Sequence, residues 1–276
     1  MSASRPRNTT PTVAPSWPVL QAPAHWRQLD FISDLHLQDS DLATFSAWQH
    51  FMQTTRADAV FILGDLFEVW VGDDVLATPG FETRCAQVLQ AASHRLTIFL
   101  MRGNRDFLLG DAFAQVGGLT LLDDPCVLDF AGQRWLLSHG DALCLEDTDY
   151  QQFRSQVRSA AWQQDFLSLA LTQRQQLAHD MRMQSEARKR SGATYADLDE
   201  PMTCSWLHMA QASTLIHGHT HKPADHQMTD GLRRIVLSDW DATATPARAE
   251  VLRLSAAVAG QAEGSTVQRL QATRAE

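Results

Sequence analysis

The sequence predicts an α/β layer fold, and two observations carry that prediction. From Trp26 onward, short apolar runs alternate with longer amphipathic ones, as strands separated by helices do. Five of the short runs end in side chains able to bind a cation or a phosphate, and open α/β sheets bind ligands beyond the carboxyl ends of their strands.

In chain order, Leu29 to Ile32 reads as a strand ending at Ser33-Asp34-Leu35-His36, and Ala59 to Leu63 as another ending at Gly64-Asp65. Leu42 to Thr54, between them, reads as a helix. Leu96 to Met101 leads into Arg102-Gly103-Asn104-Arg105-Asp106, and Arg134 to Leu137 into Ser138-His139-Gly140-Asp141. Ser213 to Ile216 feeds His217-Gly218-His219-Thr220-His221. Tyr150 to Arg190 contains neither Pro nor Gly and is rich in Gln, Arg, Ala and Leu, so it predicts two or more helices, an inserted cap over about 148–192. Ile235 to Leu237 and Val251 to Leu254 read as closing strands.

This gives one domain over 26–255, a disordered leader over 1–25 and a weakly ordered tail over 256–276. The leader holds Pro6, Pro11, Pro15, Pro18 and Pro23, half of the 10 prolines, and no apolar run resembling a signal peptide. A hydrophobic content of 44% is enough for a packed core, and a net charge of -9 disfavours a nucleic-acid partner. Cys85, Cys126, Cys144 and Cys204 form no C-x-x-C pair, which suggests neither a zinc knuckle nor a disulfide framework and fits a reducing cytosol. No apolar run reaches the roughly 18 residues of a spanning helix, so membrane contact is expected to be peripheral.

Hydrolysing a phosphate ester needs neutralisation of the phosphoryl oxygens and a strong nucleophile, and a pair of cations about 3.5–4 Å apart provides both. Asp34 and His36 alternate, so an extended backbone turns both to one side. Asp65 follows a glycine that permits a tight turn, although a helix cap would suit the same place. Asn104 offers a neutral amide oxygen and Arg105 a guanidinium for phosphate; a turn with a surface ion pair is the plainer reading. His139 fits a ligand or a packed histidine. His219 and His221 alternate after a buried-looking strand and are costly as core. Mixed imidazole, carboxylate and amide donors suit Mn²⁺ or Fe²⁺ better than structural zinc. His217, next to the ligands, is expected to support them from behind.

The ordered set Asp34-x-His36, Gly64-Asp65, Gly103-Asn104-Arg105-Asp106, His139 and Gly218-His219-x-His221 resembles the calcineurin-like metallophosphoesterase superfamily. That resemblance implies a sandwich of two β-sheets flanked by helices. Arg105 stands where most members carry a general-acid histidine. The longer strings ISDLHL, ILGDLFEVWVGDD, GNRDFLLG, SHGDALC and LIHGHTHKPA resemble the UDP-2,3-diacylglucosamine pyrophosphohydrolase family of lipid A biosynthesis over roughly residues 28 to 240.

The resemblance implies that Asp34, His36, Asp65 and His221 hold one Mn²⁺, and that Asp65, Asn104, His139 and His219 hold a second, with Asp65 as the bridge. It implies water attack at the α-phosphorus of UDP-2,3-diacylglucosamine, giving UMP and 2,3-diacylglucosamine 1-phosphate, with Asn104, Arg105 and His219 at the reacting phosphate. Substrate contacts carry over to Asn104, Arg105, Asp147, Ser185, Lys189 and His219, whereas Gly192 stands near the position of a family lysine. It further implies a cytoplasmic enzyme peripherally attached to the inner membrane of a Gram-negative bacterium, and it names no protein partner. Phe166, Leu167, Leu169 and Leu171 cannot share one helical face, so the cap packs some of them on the core or offers them to acyl chains and the bilayer.

The alternatives are a metallophosphoesterase acting on a soluble nucleotide or phosphodiester, separated by its indifference to acyl chains, and a catalytically dead scaffold. The scaffold predicts missing ligands, and every expected ligand type is present.

Overall fold

The computed structural model describes residues 17–190, 196–257 and 265–272, with the side chains of 184–190 outside the described set. The first half of the chain runs β1 (Val19–Gln21), β2 (Gln28–Ile32), α1 (Leu42–Thr54), β3 (Ala59–Leu63), α2 (Phe81–Ser93), β4 (Thr97–Met101), α3 (Asp111–Gly117) and β5 (Thr120–Leu122). The second half runs β6 (Cys126–Phe130), β7 (Gln133–Ser138), α4 (Thr148–Val157), α5 (Ala160–Leu167), α6 (Leu171–Arg190), α7 (Glu200–Ala210), β8 (Thr214–His217), β9 (Ala224–Gln227), β10 (Arg233–Val236), β11 (Glu250–Ala256) and β12 (Ser265–Gln271).

The strands form two six-stranded sheets, ordered β1-β6-β7-β8-β10-β9 and β12-β11-β2-β3-β4-β5. Period-two alternation sorts the apolar side chains. Leu29, Phe31, Phe61, Leu63 and Phe99 face the opposing sheet and meet Leu128, Trp135, Leu137, Ile216 and Ile235 there. Phe61 is the centre of that layer, stacked at 4.8 Å on both Phe31 and Phe99. Truncating it to alanine would cost about 3–5 kcal/mol through lost burial and the cavity left behind.

Ile32, Val60 and Ile62 alternate to the outer face, where α1 and α2 cover them with Trp48, Met52 and Leu89. Asp41 starts α1 by accepting the Thr44 N–H at 3.0 Å. On the other sheet, α7 covers Val127, Leu136 and Leu215 with Leu207 and Ala210. The result is helix, sheet, sheet, helix. Strands β2, β3 and β4 are mutually parallel, as are β7, β8 and β10, so the five motif-bearing strands release their following loops at common edges.

The two ends of the chain differ from the composition-based expectation. Val19–Gln21 lies inside the segment expected to be a leader, yet it pairs in parallel with β6 from Val19↔Val127 to Gln21↔Asp129. Edge pairing tolerates the nearby Pro18 and Pro23 because only one side of the strand donates to the sheet. Ser265–Gln271, inside the expected tail, pairs antiparallel with β11 along its whole length. Arg269 fixes it across the sandwich, donating to the carbonyls of Ala224 and Val236 at 3.0 Å. A proline-rich setting hid β1 and a polar composition hid β12, because a partner strand, not local hydrophobicity, orders each of them.

Among the described residues between β7 and α7, three helices form, α4, α5 and α6. Phe166 is buried on Trp162, with ring centroids 4.7 Å apart, while Leu167 and Leu169 are exposed.

Candidate metal centre

The loops after β2 and β3 continue side by side as a short ladder. Asp34 N–H donates to Gly64 O at 3.1 Å, His36 N–H to Asp65 O at 3.0 Å and Leu37 N–H to Leu66 O at 2.9 Å. Three candidate side chains are thereby set in register. Among the described residues, eight non-glycine positions have positive φ, and five of them are Asp34, His36, Asp65, His219 and His221. Left-handed backbone costs such residues about 1–3 kcal/mol each and persists where surrounding bonds over-determine it, typically at functional sites. Gly64 lies between these loops at φ +92°, and a Cβ there would run into the imidazole of His139.

The donors form two overlapping groups around Asp34 and Asp65: Asp34 with His36 and His221, and Asp34 with Asp65 and His139, each with ligand atoms within 4.8 Å. His221 Nε2 lies 3.3 Å from Asp34 Oδ1 and 3.3 Å from His36 Nε2. Asp65 divides its oxygens. Oδ1 accepts the Arg105 N–H at 2.8 Å, while Oδ2 faces His36 Nε2 at 3.9 Å and His139 Nε2 at 3.7 Å. On the second side, the amide oxygen of Asn104 lies 2.9 Å from His139 Nε2 and 2.8 Å from His219 Nδ1. All seven side chains expected as ligands therefore come together, with Asp65 between the two halves.

This arrangement fits divalent cations. Several lone-pair donors of imidazole, carboxylate and amide type point at common centres, with the imidazole orientation fixed from behind. His139 Nδ1 donates to Leu63 O at 2.9 Å, which leaves Nε2 for the site. Burial opposes a charge on His139, yet Asp65, Asp34 and Asp141 together bring its pKa up to about 9. Burial and the neighbouring His139 hold His219 down to about 4. Burial also works to raise Asp34, but His221, His139 and His36 outweigh it and keep the carboxyl far below the usual range.

Residues to which the sequence assigned no ligand or substrate role hold the loops. Asp106 is fully buried and accepts from Gly103 N–H and Leu66 N–H, both at 2.7 Å, tying the loop after β4 to that after β3. Burial and the neighbouring Asp65 push its carboxyl up to about 6. Asp141 accepts from Tyr150 Oη at 2.5 Å and Arg154 Nε at 2.8 Å, and Arg158 donates to Gly103 O at 2.9 Å. These contacts seat α4 over the site. Glu68 meets His36, Arg105 and Arg182; its place three residues after Asp65 was the available signal, but an acidic residue there carries no motif of its own.

The expected substrate contacts divide. Arg105 and Asn104 border the centre, and Asp147 caps α4 by accepting the Tyr150 N–H at 3.1 Å. Ser185 and Lys189 lie on α6, with their side chains outside the described residues. Trp70 is buried and donates to Asp73 at 3.0 Å, the packed role its surroundings favour. His217 is buried, and its Nδ1 donates to Gly218 O at 2.8 Å.

Fold and site together define a metallophosphoesterase, and a family model described as calcineurin-like phosphoesterase matches residues 28–223. Curated relatives narrow the class. The UDP-2,3-diacylglucosamine hydrolase of Chromobacterium violaceum is 44% identical over 225 residues, covering 77% of this chain and 90% of that protein. Proteins of the same name from Aromatoleum aromaticum and Chromohalobacter salexigens are 44% and 41% identical, each over 76% of this chain and over 88% and 87% of their own. The chain belongs to the UDP-2,3-diacylglucosamine hydrolase family of calcineurin-like phosphoesterases.

Proposed function

We propose that this protein hydrolyses the pyrophosphate bond of UDP-2,3-diacylglucosamine in lipid A biosynthesis, releasing UMP and 2,3-diacylglucosamine 1-phosphate. The observation that carries the reading is Asp65 Oδ2, within 3.9 Å of His36 and 3.7 Å of His139, so that one carboxylate serves both halves of the donor cluster. Relatives of that name at 41–44% identity support the substrate. Asp34, His36, Asp65 and His221 would hold one Mn²⁺, and Asp65, Asn104, His139 and His219 the other. When bound, such cations supply Lewis acidity to phosphoryl oxygens and lower the pKa of water toward about 7.

The chain's own groups orient the reaction. Arg105 grips a phosphoryl oxygen with its guanidinium, and the Asn104 amide and His219 stand beside it. Water oxygen bonds to the α-phosphorus and gives up a proton to the solvent, the bond to the bridging oxygen breaks, and the electron pair leaves on the phosphate of the acylated sugar. A phosphate leaving group needs little help from an acid, which suits arginine at position 105.

Asp147, Ser185 and Lys189 are proposed as further substrate contacts from the cap. The cap also exposes Leu167, Leu169, Leu177, Met181 and Met183. That apolar surface supports acyl-chain contact and peripheral attachment to the cytoplasmic face of the inner membrane. Among the described residues, no helix is long and apolar enough to cross a membrane.

Mass spectrometry of the products formed in ¹⁸O water tests the reading. Heavy oxygen in UMP is expected; heavy oxygen in the lipid phosphate, or no product, would reject it.

A further inference from the structure

We infer that Glu68 is a positioning residue, whose single carboxylate fixes His36, Arg105 and the cap arginine Arg182 against one another. The inference rests on the proposed reading of the site. Glu68 is brought to His36 by the ladder of loops, its N–H donating to Leu37 O at 3.2 Å. Its side chain is 11% exposed. Oε2 lies 3.0 Å from His36 Nδ1, a close polar contact off the line of an ideal hydrogen bond. Oε1 lies 2.9 Å from Arg182 Nη1 and 3.5 Å from Arg105 Nη1.

A carboxylate so removed from water is costly unless paired, and here three groups from three separate segments surround it. Each arm has a consequence. Facing a carboxylate, His36 Nδ1 carries the proton, which leaves the Nε2 lone pair toward Asp65 and His221. Partners behind ligating histidines commonly change metal affinity by about 10–100-fold when removed. The other oxygen holds two guanidinium groups that would otherwise repel, one bordering Asn104 and one on α6. The carboxylate thus links cation binding to the position of the cap.

Glu68→Gln keeps the shape and removes the charge, with Glu82→Gln on α2 as control. Mn²⁺ alone, titrated calorimetrically into chelator-stripped protein, is expected to bind Glu68→Gln about tenfold or more weakly than wild type. At saturating Mn²⁺, KM for UDP-2,3-diacylglucosamine is expected to rise in Glu68→Gln and also in Arg182→Gln. Arg182→Gln, which breaks only the cap arm, should bind Mn²⁺ as wild type does.

Circular dichroism checks folding, and Glu68→Asp, expected to be intermediate, replaces the glutamine variant if that one unfolds. Wild-type Mn²⁺ affinity together with wild-type KM in a folded Glu68 variant would overturn the inference, as would a loss of Mn²⁺ affinity in Arg182→Gln equal to that in Glu68→Gln. If the wild-type protein binds Mn²⁺ but leaves the lipid nucleotide intact, the functional reading fails, and the Mn²⁺ titration still decides the role of Glu68.

Discussion

Nε2 of His36 and Nε2 of His221 face each other at 3.3 Å across 185 residues of sequence. Two imidazole lone pairs at that distance repel unless a proton or a cation lies between them, and Asp34 and Asp65 add carboxylates to the same space. Removing divalent cations with a chelator is therefore expected to lower the melting temperature. Restoring Mn²⁺ at 100 times its Kd should return about 2.7 kcal/mol, roughly 5–10 °C for a domain of this size. An unchanged melting curve would contradict cation binding at the cluster.

Asp65 and Arg105 touch through the backbone yet are assigned different tasks, since only the Asp65 side chain faces both sets of donors. Asp65→Ala should abolish turnover and lose bound metal. Arg105→Ala should lose turnover while keeping its metal. Metal content measured by plasma mass spectrometry separates them, and equal contents would refute the assignment.

Gly103 leaves no room for a side chain, because a Cβ there would collide with the carboxylate and backbone nitrogen of Asp65. Gly103→Ala is expected to fold cooperatively and to lose turnover on the order of 10²-fold, as a displacement near 1 Å at a reacting centre does. Steady-state kinetics beside a thermal melt check this. Wild-type turnover would show that Asp65 is not held by that contact.

Arg234 donates to both oxygens of Asp197, at 2.7 and 3.0 Å, and holds its carboxyl down to about 2 from an ordinary 3.8. A depressed carboxylate pKa stabilises the fold fully above the unfolded value and loses that contribution as pH falls through the folded one. Asp197 is half-exposed, so the worth of the pair at neutral pH is at most about 1 kcal/mol. Urea unfolding of wild type and Asp197→Asn should differ by that amount at pH 7, and the two should converge only as pH falls from about 4 to below about 2. A gap independent of pH would argue against the ion pair as its source.

The apolar surface of α5 and α6 gives a separate prediction. Replacing Leu167, Leu177 and Met183 with serine should reduce sedimentation with anionic vesicles and raise KM for the long-chain substrate, while leaving metal content unchanged. Wild-type vesicle binding would remove the cap from membrane attachment.

Most of the site could be read from the chain because its candidate ligands cluster by type at the ends of recognisable apolar runs. Asp34 and His36 follow Leu29–Ile32, and His219 and His221 follow the run that becomes β8. A ligand must be a particular residue type, so it leaves a mark in the sequence whatever the surrounding fold. Glu68, Asp106 and Asp141 lie inside the same motif strings, but nothing in the sequence assigned them a role. Their work lies in which backbone N–H groups, guanidinium groups and imidazoles surround them, and many sequences place an acid near those positions. Strands β1 and β12 escaped for a related reason, since each takes its order from a partner strand, β6 for β1 and β11 for β12, rather than from its own composition.

The sequence by itself determined the alternation of strands and helices, the five donor-bearing loops and the residue types that meet a cation and a phosphate. These follow from local periodicity and from chemistry that each side chain carries with it. Only the tertiary structure decided that Asp65 turns one oxygen toward both halves of the cluster, that five donors sit in left-handed backbone, and that Glu68 binds the cap to His36. Those relations are distances between segments far apart in the chain, set by the parallel registers of β2, β3 and β4 and of β7 and β8, and no local pattern encodes a distance.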